Sequence, residues 1–152
     1  MTVPTELRPR RYRLDVDADA GRPLSLWVYD VGLACCAVEF LAAAVGVGSV
    51  EGDREQLGAV PMTTAAADAQ VLLVSGTVTA KLAPAVQRLY EQLPHPKHVI
   101  SFGACANSGG PYWDSYCVTP GVGTLLPVDV HVPGCPPRPE ALLDALRQLE
   151  QR

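Results

Sequence analysis

The chain has 152 residues, 48% of them apolar and 18% charged, with a formal net charge of -4. That is long enough for one domain with a buried core, and too apolar for a disordered chain. An acidic balance argues against a nucleic-acid binder, so no nucleic acid is expected among its partners, and the low charge fraction points to a surface partly covered by other subunits.

Residues 1–22 read as a polar arm, with Arg8, Arg10, Arg11 and Arg13 followed by Asp15, Asp17 and Asp19. Such an arm is expected to be solvated, to lie on a neighbouring subunit, or to meet acidic lipid headgroups. Residues 23–152 read as one α/β domain. No signal-peptide layout is visible at the start.

Leu24 to Tyr29 (LSLWVY) predicts a strand, and Cys35 to Val45 has the apolar density and alanine content of a helix. The run from Val31 to Val50 carries Glu39, two cysteines and several glycines, so a buried helix is expected rather than a membrane span. Gly46, Gly48 and Gly52 break it, Glu51 to Pro61 reads as a surface loop, and Thr63 or Thr64 is placed to cap a short helix over the next alanines.

Val71 to Ser75 (VLLVS) is the near-continuous aliphatic run expected of a parallel strand covered on both faces, and it empties into Gly76-Thr77. Pro84 to Leu93 predicts a helix with the stripe Val86, Leu89, Tyr90 and Leu93. His98 to Phe102 predicts a strand ending at Gly103-Ala104-Cys105. Leu125 to Val132 (LLPVDVHV) predicts another, with Pro127 near its start. After Pro133-Gly134-Cys135-Pro136-Pro137, an amphipathic helix is expected over Pro139 to Leu149.

This alternation predicts a three-layer α/β sandwich around a mainly parallel four-stranded sheet, flavodoxin-like in type. Ligands of such sheets sit beyond the carboxyl ends of the strands. Cys35 and Cys36 follow the first predicted strand, Cys105 the third and Cys135 the fourth, so distant thiols are expected to converge on one rim.

Five cysteines without a secretion signal suggest a reducing compartment and metal or redox chemistry. Four thiolates at one edge suit either tetrahedral zinc or a [4Fe–4S] cube. Structural zinc is usually gripped by C-x2-C knuckles, which this chain lacks; a cube is wider and accepts ligands from separate loops. Adjacent cysteines are awkward for either, because neighbouring side chains diverge while their Cα atoms stand about 3.8 Å apart. Helix starts at Cys35 and after Cys135 would favour thiolate, and the N–H groups of Gly103, Gly109, Gly110 and Gly134 are candidates to meet cluster sulfides. Cys117 reads as a packed thiol in the loop PYWDSYCV, or as a replacement for one of the adjacent pair.

Among the neighbours, Glu39 falls one turn beyond Cys35 and is a candidate for proton coupling or a subunit contact. Lys81 reads as an exposed lysine or a partner contact. Met62 and Phe40 read as core, with a quinone-tail path as the alternative. His131, between valines, suggests a structural hydrogen bond, while Tyr112, Trp113 and Arg138 suit an interface. No nucleophile–base pair and no dinucleotide-binding glycine fingerprint is present.

The adjacent cysteines of GLACC with Glu39 nearby, then VLLVSGTVTAKLAPAVQRLYEQLP, HVISFGACANSGGPY and LLPVDVHVPGCPPRPEALL, resemble the PSST-type (20 kDa) component of bacterial respiratory NADH–quinone oxidoreductase, complex I. That family also takes in the small subunits of energy-converting nickel–iron hydrogenases. The resemblance runs from about Leu24 to Leu149 and is strongest over Val71 to Leu143.

The resemblance implies a peripheral subunit on the cytoplasmic side of the cell membrane, carrying one [4Fe–4S] cluster on Cys35, Cys36, Cys105 and Cys135. It implies an electron relay toward quinone within a proton-translocating NADH:quinone oxidoreductase, and no catalysis by the chain alone. The implied partners are a large hydrogenase-like subunit that shares the quinone cavity, a ferredoxin-like subunit and membrane-embedded subunits. Alternatives are the small subunit of a membrane-bound nickel–iron hydrogenase-type complex, or a zinc-bearing or cluster-free structural or assembly protein. Two stretches depart from the family pattern. REQLGAVPMTTAAADAQ keeps Arg54 but lacks the arginines usual just before the second strand, and GGPYWDSYCVTPGV is about one residue longer than usual.

Overall fold

In a computed structural model, residues 10–16, 24–46 and 69–150 are described. Four parallel strands run side by side in chain order: β2 (Leu24–Gly32), β3 (Ala69–Ser75), β4 (Lys97–Phe102) and β5 (Val130–Val132). A further strand, β1 (Arg10–Val16), pairs antiparallel with the free edge of β2. The helices are α1 (Cys36–Gly46), α2 (Ala83–Gln92), α3 (Ala104–Ser108) and α4 (Pro139–Glu150).

Alternation along the strands divides the interior into two apolar layers. Leu26, Val28, Val71, Leu73, Ile100 and Phe102 face Cys36 and Phe40 of α1 and Leu142, Ala145 and Leu146 of α4. Tyr29, Val31, Leu72, Val74 and Val99 face Val86 and Leu89 of α2. The expected three-layer α/β sandwich is therefore present, and β3 is buried along its whole length. Phe40 is fully buried as a core residue.

The arm boundary at residue 22 does not hold. Residues 10–16 join the sheet, which follows from the period-two sequence Arg11, Tyr12, Arg13, Leu14, Asp15, Val16. Charges and an outer position are how natural sheets protect an edge.

The strand expected over Leu125 to Val132 shrinks to Val130–Val132. Pro127 has no N–H for a ladder, and a 3-10 turn over Val122–Thr124 leads into the segment. Asp129 takes over the pairing at this point. Its N–H donates to the Val99 carbonyl at 2.9 Å, and its Oδ2 accepts the Val99 N–H at 2.8 Å.

Conversely β2 runs on past Tyr29 to Gly32, carrying Asp30 into the sheet at 1% exposure. Asp30 Oδ1 accepts a hydrogen bond from Ser75 Oγ on β3 at 3.0 Å. Among the described residues, no helix is long and apolar enough to cross a membrane. The loop expected over residues 51–61, the caps Thr63 and Thr64, Met62, Arg8, Asp17, Asp19 and residues 54–68 of the departure beginning at Arg54 all lie outside the described residues.

Candidate metal centre

All four parallel strands point their carboxyl ends at one rim, so the loops after β2, β4 and β5 share an edge. The first loop turns at Leu33, whose N–H donates to the Ser75 carbonyl at 2.9 Å, and delivers Cys35 and Cys36 at the start of α1. It lies so close to Gly76 that a Cβ there would meet Ala34 at 2.8 Å.

Cys105 sits in the five-residue helix α3, immediately after β4. Cys135 follows β5 in the turn toward α4. These two loops are stitched together: the Gly103 N–H donates to Val132 O at 2.9 Å and the Ala104 N–H to Gly134 O at 2.8 Å. Thus the residue just before Cys105 is bonded to the residue just before Cys135.

Gly103 joins the third loop to this pair. With φ at 97° it adopts backbone that side chains rarely take, and a Cβ would fall 2.6 Å from Cys36 Sγ and 3.5 Å from Gly134 O. Gly110, at φ 56°, leaves the same kind of gap beside Cys105, where a Cβ would come within 2.9 Å of its Sγ.

Burial pushes the Cys36 thiol up from 9.0 to about 12, reinforced by the charge of Cys35, a hydrogen bond with it, and the charges of Cys105 and Cys135. Desolvation is the largest of these causes. Deprotonating such a thiol requires a positive partner, which is what a metal centre supplies. Cys35, Cys105 and Cys135 thus all lie near enough to Cys36 to bear on its thiol.

Cys117 is placed otherwise. Expected as a packed thiol, it is exposed instead, and its carbonyl accepts the Ala80 N–H at 2.8 Å. Among the described residues, no three His, Cys, Asp or Glu side chains gather closely enough to hold a single metal ion.

Cys36 is buried and Cys105 half-buried, while Cys35 and Cys135 are exposed. Val38 and the aromatics Tyr112, Trp113 and Tyr116 are also exposed, Trp113 at 71% and Tyr116 at 97%. The aromatic run follows directly on from the Cys105 helix, and Lys81 and Arg138 are exposed as well. Glu39 is half-buried in the first turn of α1.

Two of the glycine N–H groups expected to meet sulfides are otherwise engaged: that of Gly103 with Val132 O, and that of Gly109 with Cys105 O at 3.0 Å. His131 makes the side-chain hydrogen bond expected of it, its Nδ1 lying 3.3 Å from Asn107 Oδ1. Sequence reasoning missed Asn107 and the Asp30–Ser75 pair. The visible signals were an amide two residues past Cys105 and an acid inside an apolar strand.

The family model described as NADH ubiquinone oxidoreductase, 20 Kd subunit, matches residues 34–149, the span that holds all four of these cysteines. The chain belongs to this family. Its relatives include NADH-quinone oxidoreductase chains of the same kind from several bacteria. One of them, from Salinispora tropica, is 54% identical over 153 residues, covering 100% of this chain and 77% of that protein. Another, from Streptomyces griseus, is 58% identical over 132 residues, which cover 87% of this chain. The chain spans about half the length of that relative, 54%. The corresponding chain of Clostridium beijerinckii is 46% identical over 140 residues, covering 92% of this chain and 80% of that one.

A solved structure also contains a similar chain. It is a chain from the structure of the membrane-bound sulfane sulfur reductase, an archaeal respiratory membrane complex. It is 40% identical, with a TM-score of 0.50 over 53% of this chain and 46% of that chain.

Proposed function

We propose that this chain is the electron-transfer subunit of an NADH–quinone oxidoreductase, relaying electrons toward quinone through one [4Fe–4S] cluster held by Cys35, Cys36, Cys105 and Cys135. The observation that carries the proposal is the convergence of three ligand loops around Gly103, whose missing side chain leaves room beside Cys36 Sγ. Four cysteines brought in on three separate loops, without a C-x2-C knuckle, suit a wide four-iron cube better than tetrahedral zinc.

When bound, such a cluster would supply one-electron redox chemistry. The protein's part is to hold and insulate. Cys36 lies against the apolar layer of Phe40 and Phe102, which lowers the local dielectric on the inner side. The stitched loops of Cys105 and Cys135 fix the spacing of two further ligands.

Exposed Cys35 and Cys135, with Val38, Tyr112 and Trp113 on the outer side, fit a partner that covers the centre and receives the electron. In this proposal that partner is the large hydrogenase-like subunit that shares the quinone cavity. A ferredoxin-like subunit feeds electrons in, and the chain is peripheral, on the cytoplasmic side of the membrane.

The likeness to a chain of the sulfane sulfur reductase complex favours a second reading, the same cluster serving a hydrogenase-type or sulfur-reducing assembly. The intact complex, frozen for low-temperature paramagnetic resonance, separates the two. NADH should raise the cluster signal and added quinone should diminish it. A signal raised by hydrogen but not by NADH would move the chain to the hydrogenase-type reading, and a signal indifferent to all three would overturn the relay.

A further inference from the structure

The helix that carries Cys105 has only five residues, Ala104–Ser108, too few to hold its own orientation. Asn107, in its last turn, makes ties that hold it. Its Nδ2 donates to the Val132 carbonyl at 2.9 Å, and its Oδ1 accepts from Ser101 Oγ at 2.6 Å. Because the Val132 carbonyl can only accept, the amide has one sensible orientation. Oδ1 then faces His131 Nδ1 at 3.3 Å, so that ring nitrogen carries the proton.

The Val132 carbonyl is thereby gripped twice, by the Gly103 N–H at the start of α3 and by the Asn107 side chain at its end. One carbonyl has lone pairs for both. Val132 is the last residue of β5, and the chain leaves it directly for Pro133, Gly134 and Cys135. Asn107 itself lies two residues past Cys105. One half-buried amide thus spans β4 through Ser101, β5 through Val132 and His131, and the helix bearing a ligand cysteine.

We propose that Asn107 is a positioning residue that fixes the Cys105 loop relative to the Cys135 loop. It acts through those two cysteines and touches no metal itself. The proposal deepens the four-cysteine reading, and rests on it only for its effect on a cluster. The hydrogen bond to Val132 is the element that matters, because it crosses between the two loops, whereas Ser101 anchors the amide from below.

The variants are Asn107→Ala, Asn107→Asp and Ser101→Ala, with Asp129→Ala as the control. Asp129 ties β4 to the approach to β5 away from the cysteine rim, so its loss weakens the fold without releasing the loops. In the intact complex, the rate at which an iron chelator bleaches the cluster should rise roughly five-fold or more in Asn107→Ala, the factor that corresponds to one ordinary hydrogen bond. The paramagnetic line shape should broaden with it. Asn107→Asp, which keeps the acceptor oxygen but loses the Nδ2 donor, should behave like Asn107→Ala. Ser101→Ala should fall between wild type and Asn107→Ala, and Asp129→Ala should keep wild-type bleaching and line shape.

A second readout needs no cluster. In metal-free chain, the yield of Cys105–Cys135 cross-link formed by dibromobimane and mapped by peptide mass should drop in Asn107→Ala and Asn107→Asp, and not in Asp129→Ala. Equal yields in Asn107→Ala and wild type would overturn the positioning role whatever metal the complex carries. A wild-type complex without iron and labile sulfide would instead overturn the cluster reading and leave the cross-linking result to decide on Asn107. A uniform loss of cross-link in all variants, the control included, would reduce Asn107 to general fold stability and overturn the proposal.

Discussion

Replacing Gly103 by alanine puts a methyl group at the junction of the three ligand loops. That Cβ would stand 2.6 Å from Cys36 Sγ, about 1 Å inside the roughly 3.5–4.0 Å at which nonbonded atoms pack best. Cys36 cannot retreat freely, being 2% exposed and packed with Phe40 and Phe102. Overpacking of this kind costs about 1–3 kcal/mol, and holding alanine at a positive φ about 1–3 kcal/mol more. For a chain of this size a total of roughly 2–6 kcal/mol lowers the melting temperature by about 5–20 °C.

Gly123→Ala is the matched comparison, since its Cβ would meet only His131 Cε1 at 3.7 Å and no left-handed φ is involved. It should be neutral to about 0.5 kcal/mol. Melting curves and iron and labile-sulfide analysis of anaerobically purified protein decide the matter. Gly103→Ala should melt early and carry less iron, while Gly123→Ala should match wild type. A Gly103→Ala protein with wild-type melting and a full iron complement would refute the packing of Cys36 against Gly103.

Cys105→Ser and Cys135→Ser should each lose most of the iron and the paramagnetic signal, while Cys117→Ser, changing an exposed thiol outside the cluster of four, should keep both. In the metal-free chain, Cys36 holds its proton more tightly folded than unfolded, so stability should be level below pH 9 and fall as pH rises toward 12. Urea melts at pH 8 and pH 10.5 test this; a midpoint that rises with pH would reverse the sign. Ser75→Ala removes the Oγ donor from buried Asp30 and should cost about 1–3 kcal/mol by urea denaturation. An unchanged midpoint would show that this buried bond contributes nothing.

The strands and helices that sequence reasoning located well are those where burial dictates the pattern. VLLVS has to be covered on both faces, and the stripe of α2 has one apolar side. What it misplaced is settled by partners distant in the chain. The apolar run from Leu125 looks like a strand until Pro127 and the Asp129–Val99 exchange end the pairing. The β1 strand hides among arginines because only its alternate residues are apolar, and it needs the β2 edge to exist.

At the site, the placement of Cys35, Cys36, Cys105 and Cys135 on one rim was legible from strand order, because loops after parallel strands share an edge. Their electrostatics were not. No sequence signal announced that burial and three neighbouring cysteines would push the Cys36 thiol up. Nor does any local pattern announce that an amide in α3 reaches the carbonyl ending β5.

The central claim is that four cysteines from three loops hold one iron–sulfur cube. Anaerobic analysis of the native complex for iron, labile sulfide and zinc, repeated on a complex whose copy of this chain carries Cys36→Ser, tests it most directly. The account predicts a loss of about four iron and four sulfide per chain in the variant, with no change in zinc. Equal iron and sulfide in the two complexes, or loss of one zinc instead, would contradict it.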